Sequence, residues 1–136
     1  MKRAQDGLPV VGSNSKELGV RVPPDANADI DLDQSAHVVQ NGKGMSVAMN
    51  WRNLLAHLVP KRLRPLFPGA AGSNGLTCYK MGSGPFAAGP VSNELRLELK
   101  SGNVHAGNVT PTQSADSGQL QANLAATRIQ WSPDET

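Results

Sequence analysis

"ELRLELKSGNVHAGNVTP", residues 94–111, is the stretch of the chain that decides the fold. Leu95, Leu97 and Leu99 alternate with charged residues, a pattern typical of a strand that buries one face and exposes the other. The turn formers Ser101-Gly102-Asn103 follow, and the chain then returns through further strand-like residues. The stretch therefore predicts an antiparallel hairpin.

The segment after the hairpin predicts a helix. In "SGQLQANLAATRIQW", residues 117–131, Leu120, Leu124 and Trp131 recur at helical spacing. Asp116, or Ser117 in its place, can cap the first turn. A C-terminal helix over about 117–131, next to a hairpin, favours an α+β fold in which strands dominate.

Three shorter elements are predicted upstream of the hairpin. In "NGKGMSVAMNW", residues 41–51, the pair Asn41-Gly42 predicts a turn with strand-like residues on both sides, and Ser46 stands alone among apolar neighbours. "NWRNLLAHL", residues 50–58, has apolar residues at helical spacing over barely two turns. "GLTCYKMG", residues 75–82, predicts a strand.

The rest of the chain is predicted to contain little regular structure. Residues 1–5 can form a short strand, and residues 6–28, interrupted by glycine and proline, predict a long ordered loop. "DIDLD", residues 29–33, alternates like a half-buried strand. The proline-punctuated residues 59–69 predict an extended surface segment. We expect a single domain over residues 1–136.

Composition limits the classes of protein to which the chain can belong. With 38% hydrophobic and 4% aromatic residues, 14 glycines and 10 prolines, it predicts short elements joined by many loops. A net charge of +2 is too small to argue for nucleic acid by itself. The first residues show no apolar leader, and no run approaches the roughly 20 apolar residues that span a bilayer. We expect a soluble protein of the cytoplasm, which would reach a target cell only by a route that reads no cleaved leader.

Metal sites are not favoured by the spacing of the possible ligands. Asp29, Asp31 and Asp33 would share one face of a strand, but the glycine-containing turn of a calcium loop is absent, so a solvated face is the better interpretation. The nitrogen and sulfur ligands suited to zinc are widely separated in the chain: His37, His57, His105 and Cys78. The sequence predicts no metal site.

Two other patterns have a functional and a structural interpretation. Cys78 could form a nucleophilic pair with one of the histidines, but a lone cysteine in a strand is more often a buried structural residue, and it fits a reducing compartment. "KRLR", residues 61–64, could bind phosphate, although short charge runs are usually solvated. RNA binding through Lys61, Arg62 and Arg64 is therefore a weak alternative, without aromatic residues between the cations to stack on bases.

Three stretches, taken together, resemble one family. They are "RAQDGLPVVGSNSKELGVR" at residues 3–21, "GKGMSVAMNWRNLLAHLVPKRL" at residues 42–63 and "HAGNVTPTQSADSGQLQANLAATRIQW" at residues 105–131. In this order they resemble small bacterial proteins related to the type VI-secreted cytosolic toxin of Pseudomonas, whose fold is similar to that of NAD-consuming ADP-ribosyltransferases. The resemblance implies a split or mixed β-sheet core with few short helices.

The resemblance also implies a site and a partner. Arg3 would clamp the phosphates of NAD, because a guanidinium donates two parallel hydrogen bonds to phosphate oxygens. Gly44, Met45 and Ser46 would line the nicotinamide pocket, and His105 would stack on the ligand or hydrogen-bond to it. NAD would be consumed as a substrate in a target cytosol. The producing cell would then need a cognate immunity protein or antitoxin.

The chain departs from the enzymes at one point. ADP-ribosyltransferases use a glutamate to oppose the positive charge that develops on the ribose, and residues 105–121 contain none. Asp116 is better used as a helix cap. The alternative function is therefore that of a catalytically inactive member, which uses the same cleft to bind a protein or a nucleotide.

Overall fold

The computed structural model describes residues 1–136 as a small α+β domain. It contains six strands and one α-helix, which in chain order are β1 (Met45–Ala48), β2 (Tyr79–Met81), β3 (Gly89–Pro90), β4 (Leu95–Lys100), β5 (Asn103–Pro111), α1 (Ser117–Ala126) and β6 (Trp131–Pro133). One antiparallel sheet has the strand order β1-β5-β4-β3, and a second pairs β2 with β6. The predicted fold class is confirmed at this level.

The hairpin of residues 94–111 is confirmed as β4 and β5. Leu95 lies opposite Pro111 and Leu97 opposite Val109, and Gly102 closes the turn with a φ of 74°. Leu95 is fully buried, but Leu97 and Leu99 are only partly buried, and so are the charged Arg96 and Glu98 between them. This hairpin is the centre of the larger sheet, since β1 pairs with the other edge of β5.

The C-terminal helix begins where the sequence predicts but ends earlier. The carboxylate of Asp116 accepts from the backbone N–H of Gln119, whose side chain accepts in return from the N–H of Asp116, a complete capping box. The helix stops at Ala126, because the hydroxyl of Thr127 turns back to the carbonyl of Leu124 and accepts from the indole N–H of Trp131. The prediction of a helix to residue 131 is wrong over residues 127–131.

Strand β6 explains why the helical spacing misled. Trp131 is buried because its strand pairs with β2, with Met81 opposite Trp131. The strand predicted at residues 75–82 is confirmed for Tyr79–Met81. Trp131 is therefore a core residue of the second sheet, and a short 3-10 turn, Arg128–Gln130, joins it to the helix.

The segment around residues 41–51 does not form the predicted local hairpin. Residues 37 and 38 make only isolated bridges, while β1 runs against β5 with Met45 opposite Val109. Gly44 permits this pairing, because a Cβ at that position would lie 2.0 Å from the carbonyl oxygen of Val109. The glycine before β1 thus allows two strands to approach closely.

Residues 50–69 form 3-10 turns instead of the predicted helix and extended segment. The turns are Trp51–Asn53, Ala56–Leu58 and Lys61–Leu63. Trp51 is buried but Leu55 is 66% exposed, so the apolar residues do not share the single face that would stabilise a helix. Val59 is fully buried, which places the middle of this segment in a small core instead of on the surface.

The N-terminal part is a loop, as predicted for residues 6–28, and it contributes to the core. Leu18 and Val20 are fully buried although they belong to no strand or helix. Residues 1–5 contain only the isolated bridges of Lys2 and Arg3, and residues 29–33 only the bridge of Leu32 with Val38. Neither forms the predicted strand, because each meets its partner over a single residue pair.

Two apolar clusters hold the chain together. The larger one contains ten buried residues from the loop, both sheets and α1, and the smaller one joins Trp51, Val59, Ala70 and Cys78. Cys78 is buried, as the structural interpretation of a lone cysteine predicted. No helix has the length and apolar character needed to cross a membrane.

Candidate functional site

A cleft of about 920 Å³ has strands β1 and β2 in its wall and reaches across one face of the larger sheet, where Met45, Val109, Leu97 and Gly89 lie side by side. We call it the edge cleft. Its wall contains every residue of 45–50 and of 78–82, together with parts of the loops at residues 54–58 and 84–91. Each of the two strands pairs on one side only, β1 with β5 and β2 with β6. The cleft therefore joins the two sheets at strands that each have an unpaired side.

The lining of the edge cleft collects the largest apolar side chains of the chain. The protein has four methionines and five aromatic residues. All four methionines and four of the five aromatic residues line the cleft: Met1, Met45, Met49, Met81, Trp51, Tyr79, Phe86 and Trp131. Methionine is flexible and polarisable, so surfaces rich in it adapt to varied partners. Three of the eight, Met45, Trp51 and Trp131, are buried in the two apolar clusters. The other five are at least partly exposed and form a surface suited to binding.

The rim of the cleft leaves apolar groups in water. Met49 is 47% exposed and Leu55 is 66% exposed, and both belong to the wall. Phe86 is half-buried and is carried by the loop between β2 and β3, which begins at Gly82 with a φ of 61°. Exposed apolar groups next to a cleft mark a surface that can be covered by a partner.

Charges in the cleft are few and mostly paired. The guanidinium of Arg21 donates to the carboxylate of Asp29 over 2.8 Å, and this carboxylate raises the pKa of Arg21. Burial raises the pKa of the Cys78 thiol above its ordinary value of 9.0 and that of the Tyr79 phenol above 10.0. Both groups are uncharged at neutral pH, so neither is an activated nucleophile in the free protein.

Ser46 and His105 do not converge on one reacting atom. Ser46 lies opposite Asn108, to which its hydroxyl donates over 3.4 Å, and that face of the sheet is opposite to the one that buries Met45. His105 lies on the same face of β5 as Gly107 and Val109, which is the other face from Ser46. Of the two, only Ser46 belongs to the wall of the edge cleft.

The residues that the resemblance assigns to NAD are also divided. Met45 and Ser46 line the edge cleft, whereas Gly44 and Arg3 do not. Gly44 faces the backbone of β5, and the exposed Arg3 extends along Gly7, where an added Cβ would be 3.4 Å from its guanidinium. The structure therefore brings two of the four predicted NAD-binding residues into one cleft.

The aspartates of residues 29–33 serve the fold. Asp29 pairs with Arg21, and Asp31 pairs with Lys43 over 3.0 Å, which lowers the pKa of Asp31. Asp33 accepts from backbone N–H groups of the turn that follows it. The structure contains no group of three or more histidine, cysteine, aspartate or glutamate side chains that could hold a metal ion.

The basic residues 61–64 are largely engaged within the chain. Arg62 forms a two-pronged ion pair with Glu135 and donates to the carbonyl of Leu76 over 2.9 Å. Arg64 donates to the carbonyl of Ala70. Because these guanidinium groups are bonded within the chain, the structural interpretation is favoured over a phosphate-binding strip.

The edge cleft itself has no signature in the sequence. Its methionines and aromatic residues are scattered from Met1 to Trp131 and follow no period, so only the fold brings them together. One feature of the cleft is visible in the composition, since a chain with only 4% aromatic residues still carries two tryptophans. Their shared location required the pairing of β2 with β6.

Compared with known proteins, the chain matches no family model, no curated protein and no solved structure at a level that shows kinship.

Proposed function

We propose that this protein is a binding module that holds a partly apolar partner in the edge cleft. The observation that carries the proposal is the concentration of all four methionines and four of the five aromatic residues in one wall. Binding sites are commonly apolar concavities with a few polar groups that fix orientation. Here the polar groups include the Arg21–Asp29 pair and the side chains of Ser46, Asn50 and Lys80.

Binding without turnover is the function that this geometry supports best. The two groups predicted to be catalytic, Ser46 and His105, lie on opposite faces of the sheet. The thiol of Cys78 and the phenol of Tyr79 are held neutral by burial. A catalytic centre needs a nucleophile or a base within hydrogen-bond reach of its partner.

A pair of matched variants tests the proposal. A library of random eight-residue peptides is selected against the wild-type protein, and the selected peptides are titrated while tryptophan fluorescence is recorded, because both tryptophans line the cleft. Leu55→Asp places a charge on the rim at a residue that is 66% exposed, and Ile129→Asp places one outside the wall of the cleft at a residue that is 80% exposed. We expect Leu55→Asp to weaken binding at least tenfold and Ile129→Asp to leave it unchanged. No selected peptide, or equal binding by both variants, contradicts the proposal.

The second candidate is the function that the resemblance implies. In it the domain has an ADP-ribosyltransferase-like fold and acts as a cytosolic toxin that consumes NAD, with Arg3 at the phosphates and Ser46 and His105 near the nicotinamide. The volume of the cleft favours it, since about 920 Å³ lies within the range of roughly 300–1,000 Å³ that small-molecule sites occupy. A cognate immunity protein or antitoxin would then protect the producing cell.

Nicotinamide release separates the two candidates. The protein is incubated with NAD, nicotinamide is measured, and growth is followed on expression of the wild type, Arg3→Ala and Ser46→Ala. Release of nicotinamide with growth inhibition that both variants relieve supports the toxin. A rise in melting temperature without release supports binding alone. If NAD produces neither nicotinamide release nor a rise in melting temperature, NAD is not a ligand of this protein. The peptide test then decides whether the protein is a binding module.

A further inference from the structure

The loop between β2 and β3 is fastened only at its two ends. Residues 83–88 make no hydrogen bond, either to one another or to the rest of the chain. At one end the N–H of Gly82 donates to the carbonyl of Gln130 over 3.0 Å, and at the other end Gly89 pairs with Leu97 in the larger sheet. A segment with exposed backbone and no such bonds opens at a low cost in free energy.

A single side chain of this loop is half-buried. Phe86 is partly covered, while the other residues from 82 to 88 are exposed. Phe86 lines the edge cleft, yet it packs against neither of the two apolar clusters and stacks on no other aromatic ring. Since a phenylalanine gains free energy when its ring is removed from water, Phe86 obtains only part of that gain in the free protein.

The glycines of the loop allow its backbone to turn. Gly82 has a φ of 61° and Gly89 a φ of 151°, which glycine adopts without strain. Gly84 has an ordinary φ, and a Cβ added to it would meet nothing within 4 Å, so packing does not require a glycine there. Hinges are commonly a few residues at the ends of a loop that absorb backbone rotation, and Gly82 and Gly89 occupy those positions.

The loop is less restrained than the elements that share the cleft wall with it. Its residues 84–87 belong to the wall. Strands β1 and β2 are held there by pairing with β5 and β6, and the turn at residues 54–58 by a bond from the N–H of Leu58 to the carbonyl of Leu55 over 2.9 Å. An apolar occupant of the cleft would therefore meet one wall segment that can move toward it.

We propose that residues 82–89 form a lid that closes over the occupant of the edge cleft, with Gly82 and Gly89 as hinges and Phe86 as the contact residue. This inference rests on the proposed binding function and adds the step that retains the partner. When an apolar partner enters, closure removes the ring of Phe86 from water, and this contact exists only in the closed state. The contact favours closure, because a ligand shifts a conformational equilibrium by its difference in affinity for the two states.

Binding kinetics test the lid. A selected eight-residue peptide is mixed rapidly with the protein and tryptophan fluorescence is recorded, because both tryptophans line the cleft. Closure after binding predicts two phases for the wild type: the rate of the first rises with peptide concentration, and the rate of the second reaches a plateau. Phe86→Ala should retain the first phase, lose the second and release the peptide about tenfold faster.

The outcomes separate the lid from the binding function. A single wild-type phase whose rate rises linearly with peptide concentration overturns the lid and leaves the binding function intact. Two phases that Phe86→Ala leaves unchanged also contradict the lid, since the loop then takes no part in the slow step. The absence of any selected peptide contradicts the binding function itself, and the lid that rests on it.

Fluorine NMR gives an independent measurement with an internal control. The chain has two phenylalanines, so labelling with 4-fluorophenylalanine gives one signal for Phe86 and one for Phe67, which packs beside Trp51 in the small cluster. Phe86→Leu assigns the two signals. The shift of the Phe86 signal between H₂O and D₂O reports its exposure and should be largely lost when the selected peptide saturates the cleft, while Phe67 stays unchanged. An unaltered Phe86 signal in the saturated protein overturns the proposal.

A variant outside the wall tests the movement of the loop separately from the contact of Phe86. Ala88 does not line the cleft, and its N–H has no partner, so Ala88→Pro stiffens the backbone without removing a hydrogen bond. We expect the second phase to be about threefold slower in Ala88→Pro and unchanged in the matched Ala88→Ser. Equal closing rates in the two variants contradict a lid that turns on its ends. Should Ala88→Pro lower the melting temperature, the fluorine signals decide.

Discussion

Gly44→Ala is the substitution that most directly tests how the sheet is assembled. An added Cβ would lie 2.0 Å from the carbonyl oxygen of Val109 and 2.8 Å from its carbon, so β1 would have to move away from β5 by about 1 Å to reach even a close contact of 3.0 Å. Overpacking against a rigid backbone costs about 1–3 kcal/mol. We expect the upper half of that range, because the displaced atoms are backbone on both sides. Urea unfolding followed by tryptophan fluorescence should show a midpoint lower by roughly 1 M or more.

Two other glycines serve as controls. Gly42→Ala meets only the end of the Glu98 side chain, at 2.8 Å, and should cost about 1 kcal/mol because its φ is 84°. Gly84→Ala adds a methyl group in the wall of the edge cleft with nothing within 4 Å, and should leave stability unchanged. A wild-type midpoint for Gly44→Ala would refute the packing argument. Normal stability combined with lost NAD binding would support the ligand role that the resemblance gives Gly44.

The remaining predictions concern stability and reactivity. Leu124→Ala opens a cavity at a fully buried residue and should lower the free energy of unfolding by about 2–5 kcal/mol in urea. Asp116→Ala removes the helix cap and should cost about 1 kcal/mol, read from the melting temperature, whereas no loss would show that the cap is replaced. Arg62 holds the pKa of Glu135 below its ordinary 4.5. Arg62→Gln should therefore lower the free energy of unfolding by about 1 kcal/mol above pH 4.5. This difference from the wild type should vanish as the pH falls through the lowered pKa. The thiol of Cys78 should react with a disulfide reagent only on unfolding, and rapid reaction of the native protein would contradict its burial.

The sequence predicted those elements whose physical causes lie within a few consecutive residues. The alternation of Leu95, Leu97 and Leu99 specifies a strand, and Asp116 with Gln119 specifies the start of a helix. Both signals are local, so tertiary structure did not alter them. The long loop at residues 6–28 was predicted for the same reason, since glycine and proline act on their own backbone.

The sequence-based predictions failed where pairing between residues far apart in the chain determined the structure. Trp131 has the spacing of a helical residue, yet it is buried by the pairing of β6 with β2, which is fixed by residues around 79–81. Residues 41–51 contain a good turn, but β5 offers β1 a longer partner than residues 37–40 do. Periodicity cannot report either choice, because it measures only the chain next to a residue.

The candidate site shows the same limit. Met45 and Ser46 line the edge cleft, so the apolar setting of the serine pointed to a real concavity. Arg3, Gly44 and His105 lie outside its wall, and their roles toward NAD stay predictions. The composition of the cleft depends on loops and short strands from the whole chain, and no single motif contains it.

The scarcity of regular structure leaves the domain with fewer backbone hydrogen bonds than its length predicts. The chain makes 61 backbone–backbone hydrogen bonds over 136 residues, whereas a domain of this size usually makes about 90. The N-terminal loop is held instead by side chains, as where the amide of Gln121 bonds both backbone groups of Val20 and Arg128 pairs with Asp6. Every buried polar side-chain atom has a partner, so side chains do not carry the deficit. Strands β1 and β2 contribute to this deficit of backbone hydrogen bonds, because each of them pairs with a single partner strand and leaves its other side without a ladder.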